Sequence, residues 1–314
     1  MGDEPLSRVQ AEEILRPVLP DVAVTEVVAR TGGQLSSVYE VRCEGAQPTV
    51  VKVYSEQWRW KQAKEVHVYR LLAEHGVGPI PAVLRAEADG EQIGSAFTVM
   101  TLLPGRPLSE VGAQLDSAAM ARVYRQMGGM LAAMHRIGQE AFGYLTTRIL
   151  EPEPDNTAYM TRQFARKLGE FRDLGGDSGL HDGVQAYLDK HVGLFATCAA
   201  PVLCHNDFHE GNVLVSPLTE GWSVTGLIDV ENAIAADPLL DLAKTDCYSV
   251  RGDAVKSGAL VDGYGPLPDD APARLSLYRL YHSLELWDWF AMIGNTEPLT
   301  SIAEDIRGVV SAQA

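Results

Sequence analysis

The stretch Val202–Val215 reads V-L-C-H-N-D-F-H-E-G-N-V-L-V. Two short apolar runs with β propensity, Pro201–Cys204 and Val213–Val215, bracket a loop that carries His205, Asn206, Asp207, His209, Glu210 and Asn212. Strand-like flanks around so dense a polar loop hold its side chains on a rigid frame. Fourteen residues after Asn212 a second apolar run begins, Gly226-Leu227-Ile228, and it ends in Asp229-Val230-Glu231. The pattern is H-x-D-x-x-x-x-N, a strand, then D-x-E.

These residue types suit phosphoryl transfer. That reaction needs a carboxylate to orient the attacking hydroxyl and accept its proton, and oxygen ligands for the magnesium ions that neutralise the phosphates. Asp207 suits the first role; Asn212 and Asp229 suit the second. His205 is better placed to orient the loop than to act chemically. The bland alternative is an acidic surface turn, and the downstream D-x-E at strand distance weighs against it. A metal-dependent hydrolase using His205, Asp207 and His209 is a further alternative, but no other histidine cluster completes a ligand set.

The two motifs resemble those of the aminoglycoside phosphotransferase family, small-molecule kinases with the protein-kinase fold. Its members carry H-G-D-x-x-x-x-N, a strand, and I-D-[WFY]-[ED]. Here Asn206 stands where the family has glycine, and Val230 where it has an aromatic residue. Neither change removes a ligand or the base. The first leaves the backbone conformation of the loop open, because asparagine adopts positive φ less readily than glycine. Ala236–Ala243, A-D-P-L-L-D-L-A, is similar to the family's G-D-P-x-x-D-L-A. Asp237 is expected to cap the helix that Pro238 opens, and Asp241 to brace the catalytic loop. Only seven residues separate Asp229 from Asp237. A protein kinase needs an activation segment there, with D-F-G and A-P-E; both are missing, which points away from protein substrates.

Bulk properties set bounds on these readings. The chain has 314 residues, 46% of them apolar and 22% charged, as expected of a globular protein with a sizeable core. No apolar run approaches the roughly 18 residues of a membrane span, and the acidic N-terminus lacks a signal pattern. The four cysteines, Cys43, Cys198, Cys204 and Cys247, show no C-x-x-C spacing, which favours a reduced cytoplasmic setting. A net charge of −16 disfavours nucleic acid as a partner. Residues 1–103 hold 10 basic and 14 acidic residues, and residues 104–314 hold 16 and 28. An acidic second half could attract a cationic small molecule or could be a solvated surface.

Along the chain, residues 7–19 read as a short helix capped by Ser7. Strands at 22–29 and 38–41 flank the loop Thr31–Ser37, rich in glycine and serine, where Gly33, Ser36 and Ser37 could approach phosphate oxygens. Thr49–Tyr54 is an apolar strand with Lys52 inside it, and a buried lysine needs a partner. In the resemblance this lysine touches the nucleotide phosphates and pairs with a glutamate on the next helix, residues 57–75; Glu65 is the candidate. Strand 96–100 leads to Thr101-Leu102-Leu103, the hinge in the resemblance, whose backbone at Thr101 and Leu103 meets the purine. Helices follow at 117–135, 157–174, 182–198, 273–293 and 299–310, with a turn at 173–179. On the 273–293 helix, Leu277, Leu280, Leu284, Trp287 and Ala291 form a core face, while Tyr281, Glu285, Asp288 and Trp289 lie elsewhere and could receive an amino-bearing ring.

The expected fold is α+β, a bilobal protein-kinase-like fold with a β-rich N-lobe at 1–103 and a mainly helical C-lobe at 104–314. The expected activity is ATP-dependent phosphorylation of a small-molecule hydroxyl, with Mg²⁺; backbone contacts at the hinge do not separate ATP from GTP. In the resemblance the acceptor is an aminoglycoside or aminocyclitol antibiotic. The stretches Val51–Trp58 and Ser249–Asp253 are loosely similar to the hygromycin B phosphotransferase branch. Glu231, Glu285 and Asp288 are the substrate-side candidates, with Glu231 open between a substrate amine and the metal site. A metabolic kinase of the choline, homoserine or sugar type, and a non-catalytic binding protein, are the rivals. A monomer or a homodimer fits either reading.

Overall fold

A computed structural model describes residues 5–30 and 36–311. In chain order these form α1 (Arg8–Leu15), β1 (Val24–Arg30), β2 (Ser36–Cys43), β3 (Thr49–Tyr54), α2 (Arg59–Glu74), β4 (Val83–Glu87), β5 (Phe97–Thr101) and β6 (Arg106–Pro107). Next come α3 (Leu108–Val111), α4 (Ser117–Met134), β7 (Phe142–Leu145), β8 (Ile149–Glu153), α5 (Asn156–Asp173), α6 (Ser178–His191), β9 (Val202–Cys204), β10 (Val213–Leu218) and β11 (Gly221–Leu227). The remainder are β12 (Ile234–Ala236), α7 (Pro238–Thr245), α8 (Ala254–Tyr264), α9 (Ala271–Met292) and α10 (Leu299–Ser311). Among the described residues no helix is long and apolar enough to cross a membrane.

The chain forms two compact units, and they interleave. One comprises Met1–Val111, Leu145–Arg148 and Gly211–Asn232; the other comprises the rest. A single cut after residue 103 therefore does not describe the division. One tie is a strand pairing of two residues: β10 lies between β11 and β6, with Leu214 opposite Pro107 and Val215 opposite Arg106, and the Leu227 N–H adds a bond to the Pro79 carbonyl. Such ties draw the β10–β11 hairpin, far downstream in the chain, into the first unit.

The first unit is built on an antiparallel sheet in the order β1-β2-β3-β5-β4. Ser7 opens α1 with a reciprocal capping box, its hydroxyl accepting from the Gln10 N–H. The helix stops at Leu15, short of the expected 19, because Pro17 lacks the N–H that would continue the ladder. Ala11, Ile14 and Leu15 pack with Val41, Val51, Phe97 and Val99 from the sheet. One turn of 3₁₀-helix, Glu56–Trp58, precedes α2. Gln62, Glu65, Tyr69 and Leu72 are buried along one face of α2, the spacing of a helix against a sheet.

The second unit is mainly helical, with one four-stranded sheet ordered β8-β7-β12-β9. Asp116, Asp155, Asp177 and Asp253 each cap a helix by accepting a backbone N–H. The Asp177 cap starts α6 inside the stretch expected to be a turn, and the end of the expected 182–198 helix is a 3₁₀ segment, Val192–Thr197. Helices α4 and α8 cross in close contact. A Cβ on Gly263 would stand 1.9 Å from the Arg125 carbonyl oxygen, so only glycine fits.

Candidate active site

Within the first unit, β3 carries Lys52 into the interior, where it is 6% exposed. Its ammonium lies 2.9 Å from Glu65, 2.9 Å from Glu231 and 3.4 Å from Asp229. Burial opposes the charge on Lys52, but the carboxylates of Glu65 and Asp229 more than offset it and hold its pKa well above the ordinary value. Burial pushes the Glu65 carboxyl up, and Lys52 opposes the shift. The Tyr54 hydroxyl donates to Glu65. The pair expected from the sequence, Lys52 with Glu65, is thus in contact across β3 and α2.

The β10–β11 hairpin places the two expected metal ligands. Val213 faces Leu227 in the register, and the Ile228 N–H donates to the Asn212 carbonyl at 3.0 Å. Asn212 and Asp229 therefore stand at the same end of one hairpin. Asp229 has φ +63 and donates its N–H to the Tyr69 hydroxyl at 3.1 Å. Left-handed backbone is costly for a residue other than glycine and collects at functional positions. The Asp229 side chain is 39% exposed, far more than the other groups around Lys52. A partly open carboxylate and an amide, carried at the same end of one hairpin, are oxygen donors of the hard kind that magnesium prefers, so the residue types fit that ion.

In the second unit the loop after β9 is held at four points. The His205 and Asn206 N–H groups both donate to the Asp241 carboxylate at 2.6 Å. The Thr245 hydroxyl lies 2.9 Å from the Phe208 carbonyl, and the Glu210 N–H donates to Ser249 at 2.9 Å. Tyr124 from α4 and Lys256 from α8 both reach the Glu210 carboxylate, at 2.7 and 2.8 Å, which gives the close α4–α8 crossing its bearing on the loop. Asp207 sits between these anchors with its side chain 22% exposed and the His209 ring 3.5 Å away. His209 stacks on Tyr248. Asn206 adopts φ +59, the conformation that the glycine of the resemblance adopts freely. Asparagine takes this region more readily than other residues with a Cβ, so Asn206 can hold the left-handed turn seen here.

Asp241 is fully buried and also meets His135 at 3.1 Å. Burial alone would raise its carboxyl; the hydrogen bond from His135 and the charges nearby outweigh burial and hold it below the ordinary range. Asp237 caps α7 through the Leu239 N–H, and it accepts from Arg274 at 2.7 Å and Tyr278 at 2.6 Å.

Other expected site residues are placed as follows. Ser36 and Ser37 begin β2 opposite Tyr54 and Val53, while Gly33 lies outside the described residues. Thr101 spends its backbone N–H on the Ala82 carbonyl at 3.0 Å, so that group is not free for a purine. Glu231 is not presented to a substrate: it is 5% exposed and each of its oxygens meets a lysine. Asp288 is 3% exposed, with Lys167 at 3.6 Å, and burial raises its pKa to about 7. Helix α9 packs on α5, α7 and α10, so the face assigned to substrate is largely interior. Tyr281 is buried with it, and only Trp289 is well exposed. Glu285 is bound by Lys244 at 2.6 Å and by His282 at 3.2 Å.

The sequence reading missed Lys61, Lys244 and Tyr248. Lys61 could have been suspected, since it stands one helical turn before Glu65 on α2, and residues at that spacing share a face. Its neighbour Lys64 is also buried, and burial lowers the Lys64 pKa to about 7.

Residues 26–278 match the model of a family described as the phosphotransferase enzyme family. Among solved structures, a thermostable mutant of aminoglycoside phosphotransferase APH(4)-Ia in ternary complex with ADP and hygromycin B is 18% identical, with a TM-score of 0.72 and coverage of 97% of this chain and 99% of that one. APH(2")-IIia in complex with GDP and kanamycin is 14% identical, with a TM-score of 0.70 and coverage of 98% and 100%. A protein provisionally named a fructosamine-3-kinase, from Thermobifida fusca YX-ER1, is 20% identical, with a TM-score of 0.69 and coverage of 96% and 99%. These similarities place the chain in the expected kinase-like α+β fold.

Proposed function

The chain belongs to the phosphotransferase enzyme family, and on that premise we propose that it transfers the γ-phosphoryl group of a nucleoside triphosphate, ATP in the first instance, to a hydroxyl of an aminoglycoside or aminocyclitol antibiotic such as hygromycin B. The observation that carries the reading is the contact of the Lys52 ammonium with Glu65 and Asp229, at 2.9 and 3.4 Å. A lysine held between a helix glutamate and a partly exposed strand-end aspartate is set to meet phosphate oxygens.

In this mechanism Lys52 binds the phosphates, and Asn212 and Asp229 would hold magnesium, which when bound neutralises phosphate charge. Asp207 orients the acceptor hydroxyl. As the new oxygen–phosphorus bond forms and the bond to the departing diphosphate breaks, the hydroxyl proton passes to Asp207. The anchors on residues 205, 206, 208 and 210 keep that carboxylate in one position, and positioning is much of what a phosphoryl-transfer enzyme supplies. Relatives of this fold that bind hygromycin B or kanamycin support an amino-bearing acceptor.

A metabolic acceptor is the second reading. It is favoured by the likeness to the provisionally named fructosamine-3-kinase and by Lys244, a buried cation near enough to Asp207 to feel its charge. An assay of nucleotide consumption against a panel of aminoglycosides, amino sugars, choline, homoserine and glycated amines separates the two. Turnover with hygromycin B or another aminoglycoside is the expected result. Turnover confined to the metabolic alcohols would replace the antibiotic reading.

A further inference from the structure

Lys52 already has a full partner in Glu65, and Asp229 adds a second carboxylate. A third carboxylate in so buried a place is unfavourable unless another cation accompanies it. Lys61, in the first turn of α2, is that cation. It is 6% exposed, and its ammonium lies 3.0 Å from Glu231 Oε1, while Glu231 Oε2 lies 2.9 Å from Lys52. The Trp58 and Trp60 rings flank Lys61 with centroids 5.4 and 5.9 Å from the ammonium, which limits where its stem can swing. Two oxygens of one anion thus hold two lysines at once. A phosphate group offers the same arrangement of oxygens with more charge.

We propose that Lys61 is a second phosphate-binding lysine beside Lys52, and that Glu231 is the internal anion which a nucleotide phosphate displaces from both. The proposal rests on the reading that Lys52 serves a nucleotide. It assigns Glu231 neither to the metal nor to the acceptor. It also gives the D-x-E spacing a physical purpose: Asp229 faces outward at the hairpin end, and the side chain two residues on turns inward to keep the lysines apart and ordered.

Calorimetric titration of ADP and of GDP into the full chain, in EDTA and then in magnesium, tests this. In EDTA the Lys61→Met variant is expected to bind about tenfold more weakly than the unaltered protein, the factor that follows from losing one charge-assisted hydrogen bond. Glu231→Gln is expected to bind more tightly than the unaltered protein in EDTA, because the competing charge is gone. A purely structural brace would not tighten binding, and a metal ligand would weaken binding only in magnesium; either outcome for Glu231→Gln overturns the proposal, as does unchanged binding by Lys61→Met. Lys61→Gln, checked by circular dichroism, serves if the methionine variant does not fold. If the unaltered protein binds neither nucleotide in either buffer, the kinase reading itself has failed.

Discussion

Replacing Asp207 by alanine is expected to slow phosphoryl transfer by roughly 10²–10⁴-fold, the range for loss of a positioned general base. Nucleotide affinity is expected to stay within about threefold, since only an interaction made in the transition state is removed. The structural argument lies in the anchors. Asp207 is flanked by backbone groups tied to Asp241, Thr245 and Ser249, and none of these ties uses its carboxylate. The variant should therefore fold, and a loss of rate reports chemistry. Single-turnover kinetics at saturating nucleotide, paired with a binding isotherm, make the distinction. A variant that turns over at the parental rate would remove Asp207 from the mechanism.

Replacing Asp241 by alanine is expected to lower stability by about 3–5 kcal/mol, the cost of breaking a buried charged network from one side. Two backbone N–H groups, on His205 and Asn206, and the His135 ring lose their acceptor together. The midpoint of urea unfolding measures the loss. A pH dependence accompanies it. The folded-state pKa of Asp241 is depressed, so its contribution is fully present above the unfolded value of about 3.9 and is lost as the pH falls through the lower folded value. Between neutrality and about pH 3 the parent protein should therefore lose more stability than Asp241→Asn. Equal acid sensitivity in the two would show that Asp241 is not held as an anion.

The chemistry-bearing residues were legible because their constraints are local or pairwise. Lys52 is a charge in an apolar strand and needs a partner, and Glu65 is on the helix face that can provide one. Asp237 before Pro238 is a cap by rule, and it caps α7. The interleaving of the units was not legible. It depends in part on β6, a strand of two residues pairing with β10, and so short a strand has no period to detect. The same holds for β12, of three residues, whereas β9 falls within the apolar run Pro201–Cys204 that flanks the polar loop. The acceptor side failed for a different reason. Periodicity on α9 marks one buried face, but this 22-residue helix meets three other helices. Asp288 and Tyr281, on what a single-face reading takes as the outer side, are interior. The sequence shows Glu231 only as an acid two residues after a metal-ligand candidate; that it turns inward to two lysines depends on Lys61, 170 residues earlier.

The claim on which the rest depends is that Lys52 and Asp229 serve a metal–nucleotide complex. Calorimetric titration of a non-hydrolysable ATP analogue, with and without magnesium, into the parent chain and into Lys52→Met and Asp229→Ala tests it most directly. One site per chain is expected, tighter in magnesium, with Asp229→Ala losing the magnesium dependence and Lys52→Met binding weakly in both buffers. Binding that ignores magnesium and survives both substitutions would contradict the account.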